Sequence, residues 1–446
     1  MLKRFIAILT LILISANILF ATKYYVSTTG NNSANGSQTA PWLTVQKAAS
    51  SMVSGDIVNI APGTYQEIVT VSASNITFIG PATVKQFNVT GNYATITNLN
   101  IGTTSTTSDA VMLLGVGDRV MGCAINLHSK PYGAIYIAGS DCIVSDCDIT
   151  GCYAVQAVVF TTSARNSLVT GCNLHDMHDV DVFRVWGVSN TLSGNTVYDC
   201  DNPGYSSIPW HADFIQTFGD NGETAYNITI ESNYVHDCTT QIGNLTSDVG
   251  NIHDFTFRNN IFANISNCAF VGVKSFWYNN TFYKCGINQD CALYVYQVPN
   301  YNSAGSEIVN NVFLQCGNPA STSSGGINAN GAVLSNYRIE HNYFAGNNYA
   351  AKSEAYIGTS AINGGDPKLV SVGSDFHLQS GSPLIGAATN LSTYFTRDKD
   401  GKFRPAAGAW DIGAYEQNGV ISSIIPPTVS AISLNASDID PNTAGL

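Results

Sequence analysis

Asn260-Ile261-Phe262, Asn280-Thr281-Phe282, Asn311-Val312-Phe313 and Asn342-Tyr343-Phe344 are four copies of one phrase, and their recurrence decides the fold. Asn233-Tyr234-Val235 and Asn195-Thr196-Val197 extend the series backwards. Cys172-Asn173-Leu174, Cys147-Asp148-Ile149 and Cys123-Ala124-Ile125 continue it with cysteine in the asparagine place. The apolar third member advances by 24, 25, 23, 38, 27, 20, 31 and 31 residues. A fixed phrase at variable spacing means one strand-turn unit per coil of a solenoid, with insertions looped out on one side. An asparagine at the same place in every coil predicts a ladder of side-chain amides bonded to one another.

The cysteines follow the same columns. Cys152, Cys200, Cys238, Cys285 and Cys316 each lie three residues beyond an apolar position, and Cys123, Cys147 and Cys172 replace ladder asparagines. The count of eleven is odd, so the reading is buried free thiols acting as small apolar fillers, not a disulfide network. No Cys-x-x-Cys pair lies near a second one, which argues against structural zinc.

Composition agrees with strands and turns. Charged residues are 11% of the chain, and Gly numbers 40, while β-branched residues are plentiful and helix formers scarce. Met1-Leu2-Lys3-Arg4 followed by an apolar run to Phe20 and then Ala21 reads as a secretory signal cut after residue 21. Secretion to the periplasm, cell surface or medium is therefore expected. No later stretch is apolar for long enough to cross a bilayer. The formal charge is -12, and -14 once Lys3 and Arg4 leave, which argues against nucleic acid or an anionic membrane as partner. A monomer is expected.

Residues 22–67 hold a strand, a stretch with apolar residues at helical spacing (Leu43 to Met52) and a second strand, Ile57-Val58-Asn59-Ile60. A solenoid must cover its open first coil, and an amphipathic helix there is the expected cap. The coils should fill residues 22–416, with 366–416 as a closing segment. Residues 417–446, Ser/Ile/Pro-rich with Pro426-Pro427, read as a linker or the stub of a further domain. Asp398 and Asp400 read as turn residues in preference to calcium ligands, since no twelve-residue EF-hand loop surrounds them.

The candidate site lies in two central coils. Asp179-Val180-Asp181-Val182-Phe183-Arg184-Val185-Trp186-Gly187 overlays His211-Ala212-Asp213-Phe214-Ile215-Gln216-Thr217-Phe218-Gly219, so that Asp falls on Asp, Arg184 on Gln216 and Trp186 on Phe218. On adjacent coils the paired residues sit about 4.8 Å apart, which predicts Asp181 beside Asp213 on an outward, water-reachable wall. Asp213 and Gln216 share a face only if the chain bends at the strand's start. The 38-residue step contains an inserted loop, Asp201 to Pro209, immediately before Trp210 and His211, and inserted loops on a rigid scaffold carry function. Two carboxylates suit glycoside hydrolysis, as acid and as base or nucleophile, or could hold calcium through Asp181 and Asp213. Elimination on a uronic-acid polymer needs a group that neutralises the sugar carboxylate (Arg184, Gln216, Asn244 or calcium) and a base (His211). His178 also suits substrate binding, and Trp186, Trp210 and Phe218 suit stacking on sugar rings. His175, His236 and His253, each followed by Asp, read as solvated or turn-capping.

Four phrases carry resemblances. The opening Tyr24-Tyr25-Val26, Pro41-Trp42-Leu43-Thr44 and Gly63-Thr64-Tyr65, with the closing Asp411-Ile412-Gly413-Ala414-Tyr415-Glu416, resemble secreted right-handed parallel β-helix proteins of the pectate-lyase-like type. That resemblance implies an all-β, right-handed parallel β-helix. His211-Ala212-Asp213-Phe214-Ile215-Gln216 is similar to the Asn-Thr-Asp-Gly-Ile-Asp phrase of polygalacturonases, matching at Asp213 and Ile215 and departing at Gln216. Val273-Lys274-Ser275 resembles the Val-Lys-Ser strand end of β-helix alginate and chondroitin lyases, which implies Lys274 as a base. The Arg-His pair of those families is absent, for Leu293-Tyr294-Val295-Tyr296-Gln297 stands there. The expected function is a secreted polysaccharide lyase; the alternatives are a glycoside hydrolase and a non-catalytic carbohydrate-binding or surface protein.

Overall fold

The computed structural model describes residues 21–421 except 154–155, 202–211, 220, 248–249, 290, 299–300, 321–324, 331–333 and 347–357. Residues 1–20 of the expected leader, the linker from 422 onward, most of the inserted loop, Trp210 and His211 lie outside the described residues. Within them the chain winds as a parallel solenoid. One long sheet runs from Lys23–Val26 to Arg338–Glu340, a second from Thr64–Val71 to Ile362–Asn363, and strands adjacent in each sheet come from successive coils. The phrases that decided the fold fall in register: Ile125 pairs with Ile149, then Leu174, Val197, Val235, Phe262, Phe282, Phe313 and Phe344. The column reaches further back than the repeat suggests, through Ile101 and Val84 to Tyr65. Its members are buried, and Phe282 stacks on Phe313 and Phe313 on Phe344 with ring centroids 4.9 and 5.1 Å apart.

The amide ladder is present. Each Nδ2 donates to the next Oδ1 from Asn195 through Asn233, Asn260, Asn280 and Asn311 to Asn342, at 2.9 to 3.1 Å. The backbone N–H of each donates to the same oxygen. Buried polar groups must find such partners, so these amides fix one corner of every coil. Cysteine ends the ladder: Cys172 N–H donates to Asn195 Oδ1, and Cys147 N–H meets Cys172 Sγ at 3.5 Å. The residue before each ladder member takes the left-handed conformation: Gly194, Ser232, Asn259, Asn279, Asn310 and His341 have φ between 51° and 65°. The corner therefore needs an αL-tolerant residue followed by a buried amide. All eleven cysteines are free and buried, and burial pushes the Cys152 thiol up to about 12.

Helix α1 (Val45–Ser51) starts at an N-cap threonine, Thr44, whose hydroxyl accepts from Lys47 N–H, and it buries Val45, Ala48 and Ala49. No helix among the described residues is long and apolar enough to cross a membrane. After the last coil, residues 384–416 run back along the outer corner where the first sheet turns into the second. Thr389 meets Asn310, Asp411 and Gly413 accept from Asn279, and Ala414 N–H donates to Thr281. The Arg397 carbonyl accepts from Asn259, and Lys399 donates to the carbonyl of Ser232. Arg404 is wholly buried in this strap, bonded to Glu416 at 3.0 Å and to Asn259. Asp398 accepts from Lys402 and Glu416 N–H groups, as a turn residue does.

Candidate active site

The second sheet's later strands carry the site. Asp179 has φ 54°, which breaks the strand between Asn173–His178 and Asp181–Val185; the equivalent place before Asp213 lies outside the described residues. Across coils, Arg184 pairs with Gln216, Gln216 with Asn244, Asn244 with Phe270 and Phe270 with Tyr294. Phe183 pairs with Ile215, so counting two residues back sets Asp181 level with Asp213. The overlay of the two coils is thus the register of the sheet.

The outward wall is occupied differently from expectation. Asp181 is 4% exposed and Asp213 0%, so the two carboxylates do not stand on a water-reachable wall. They belong to a column in which Gln156 pairs with Asp181, Asp213 with Gln241 and Gln241 with Asn267. Past a bend the two-residue alternation no longer tells which side faces water. The group that does reach solvent is Arg184, whose side chain is 27% exposed. Its Nη2 and Nε both donate to Asp181 Oδ2, at 2.5 and 3.2 Å, and its guanidinium carbon lies 5.7 Å from the centre of the Phe218 ring. A carboxylate behind and a ring beside hold the fork in one orientation.

Trp186 and Phe218 meet as the overlay predicts, but they serve each other. Their rings are edge to face at 4.8 Å, and Trp186 Nε1 donates to the Phe218 carbonyl at 2.8 Å. Both residues are half-buried. His178 pairs in register with Asp201, its Nδ1 2.5 Å from Oδ1, with both side chains nearly half exposed. It stands at the rim, across the bend from Arg184. Asp201, the start of the inserted loop, is a partner that sequence reasoning misses, because the pairing spans a whole coil.

Lys274 is not with this group. It precedes the strand Ser275–Tyr278 of the first sheet, its Nζ 2.8 Å from Asp254 Oδ1 and 5.0 Å from the Phe276 ring centre. That ion pair and its place beside the first sheet set Lys274 apart from the Arg184 row, which corrects its expected place in the site. Asp254 also meets His253 Nδ1 at 2.9 Å. The other turn histidines are similarly engaged, and more covered than expected. His236 meets Asp237, and His175 meets both Asp176 at 2.8 Å and Asp148 at 3.1 Å. His175, Tyr198 and His236 stack in series.

Burial alone would disfavour a charged His175 ring, but the bonds to Asp176 and Asp148 outweigh it and raise its pKa. Stability from this pairing is therefore full below about pH 6.5, the ordinary histidine value, and fades as pH rises through the higher folded value. His175 should titrate above 6.5 by NMR, and His175→Asn should lose its stability deficit at alkaline pH. A midpoint at or below 6.5 would contradict the assignment.

Among the described residues no three His, Cys, Asp or Glu side chains gather as a metal cluster.

A family model described as a right-handed beta helix region matches residues 86–221 and 128–285. No curated protein matches the sequence. Among solved structures, pectate lyase Pel9A is similar at 17% identity over 90% of this chain and 98% of its own, with a TM-score of 0.55. XylC in complex with xylose is 11% identical over 89% and 98%, with a TM-score of 0.49. A PL6 family polysaccharide lyase from Pseudopedobacter saltans is 13% identical over 60% and 81%, with a TM-score of 0.41. At these identities the likeness gives the architecture, a right-handed parallel β-helix, and no activity.

Proposed function

We propose that this protein is a secreted, carbohydrate-active β-helix protein, and specifically a polysaccharide lyase that cleaves a uronic-acid-containing glycan by β-elimination along the outer face of the second sheet. One observation carries the reading: Arg184 is the cation of an outward row that continues as the amides Gln216 and Asn244, and it is held there by buried Asp181. In elimination the C–H bond beside the sugar carboxylate gives its proton to a base and the electron pair forms a C=C bond. The glycosidic C–O bond breaks, and the leaving oxygen takes a proton. Arg184 would neutralise the sugar carboxylate, with Gln216 and Asn244 as further donors, where charge develops. Asp181 acts through Arg184 as a positioning residue, Asp213 lies level with it one coil on, and His211, two residues before Asp213 in sequence, is the proposed base. His178 is a rim contact for the glycan, and α1 covers the first coil.

The hydrolase alternative needs both carboxyl groups against the glycosidic bond, and burial of Asp181 and Asp213 disfavours it. With a guanidinium supplying the positive charge, turnover should survive a chelator. The test is incubation with a panel of acidic and neutral glycans. A lyase yields an ultraviolet-absorbing unsaturated sugar; reducing ends without that signal would mean hydrolysis, and binding with neither signal a non-catalytic protein.

A further inference from the structure

Beyond Asn244 the outward row changes character. Phe270 pairs with Asn244 and Tyr294 with Phe270, and Asn328 follows. Tyr296, two residues along from Tyr294, stacks on Phe270 with centroids 5.7 Å apart and 27° between planes, and it meets Tyr294 edge to face at 4.7 Å. All three rings are half-buried, so each presents part of its surface to solvent. At one coil per strand spacing, Phe270 stands roughly 14 Å and Tyr294 roughly 19 Å along the axis from Arg184. A coil advances the row by close to the length of one pyranose residue, so a glycan lying along the axis would meet amides first and rings next.

Charge decides which sugars those are. Between Arg184 and Asn328 the described members of the row include no second cation. Lys274 is held by Asp254, and Lys284 lies 5.2 Å from its own neighbour's ring, Tyr283. An aromatic face carries the negative end of the ring quadrupole. It suits the C–H face of a neutral sugar and repels a carboxylate. The chain's formal charge of -12 opposes a polyanion at longer range.

We infer that the glycan is a heteropolymer in which a uronate residue is followed by neutral sugars, and that Phe270, Tyr294 and Tyr296 form the subsite for the neutral part. This rests on the lyase reading only for the uronate at Arg184. The test is retention of the full chain on two immobilised series in physiological salt. One is homopolymeric uronates (polygalacturonate, alginate); the other is heteropolymers alternating glucuronate with a neutral sugar, such as hyaluronan.

At least one heteropolymer should be held about tenfold more tightly than either homopolymer. Phe270→Ala with Tyr294→Ala should weaken that binding about ten- to a hundredfold, about three- to tenfold per ring, while Phe270→Tyr retains it and all variants melt cooperatively. Equal or tighter binding of the homopolymers, no binding to any heteropolymer, or indifference to loss of both rings would overturn the inference. Cleavage of a homopolyuronate with the rings dispensable would remove the subsite yet leave the lyase reading intact. Ring-dependent binding without turnover would do the reverse.

Discussion

Arg184→Gln is expected to lower kcat/KM on the uronate glycan by about 10²–10³-fold, the usual cost of removing one preorganised donor from a developing charge. Glutamine is the informative replacement because Gln216 fills the same place one coil on. The wall already accepts that side chain, and the introduced amide could still donate to Asp181, so melting should change little. If Asp181 acts only through Arg184, Asp181→Asn should cost much activity in the native background and little more in Arg184→Gln, a non-additivity that a double-mutant cycle reads directly. Asp213→Asn and His211→Ala should also fall sharply. An Arg184→Gln enzyme that keeps full turnover would remove this row from the chemistry.

Stability should be most sensitive at the amide ladder. Asn260 is fully buried. It accepts from the backbone and side chain of Asn233 and donates to Asn280 and to the Ile230 carbonyl. Asn260→Ala would strand two donors on one coil and an acceptor on another, at about 1–3 kcal/mol for each group left unpaired, or about 3–9 kcal/mol in all. Cys147→Ala, in the same column where the ladder has ended, should cost only about 1 kcal/mol. Denaturant titration of the two variants decides the matter. Equal losses would mean the column is held by packing rather than by its amides.

Much of this architecture was legible because each coil repeats the same physical demand. An apolar residue must point inward, and a buried amide must find the next amide, so Asn-x-Phe recurs at whatever spacing the loops allow. The αL residue before each amide was equally visible, as Gly194, Ser232, Asn259 and their equivalents, but its meaning appears only once the corner is seen. The site was legible in register and not in exposure. The overlay put Arg184 on Gln216 and set Asp181 level with Asp213, yet whether a residue beyond a bend faces water depends on the bend, and Asp179 alone did not reveal that. Lys274 misleads for a different reason. Its partner Asp254 lies one coil back, twenty residues away in sequence, and the Val-Lys-Ser phrase is too short to carry that neighbour with it.

The strap of residues 384–416 alters how the molecule should come apart. A stack in which each coil touches only its neighbours can fray from either end. Here one segment is bonded to the coils at Ser232, Asn259, Asn279, Thr281 and Asn310 together, so none of these can open without releasing the same tether. Amide hydrogen exchange should therefore find those coils opening as a single cooperative block with one shared free energy, while coils ahead of Ser193 exchange in a graded series. The half of the molecule nearer the C terminus would be its slowest to yield.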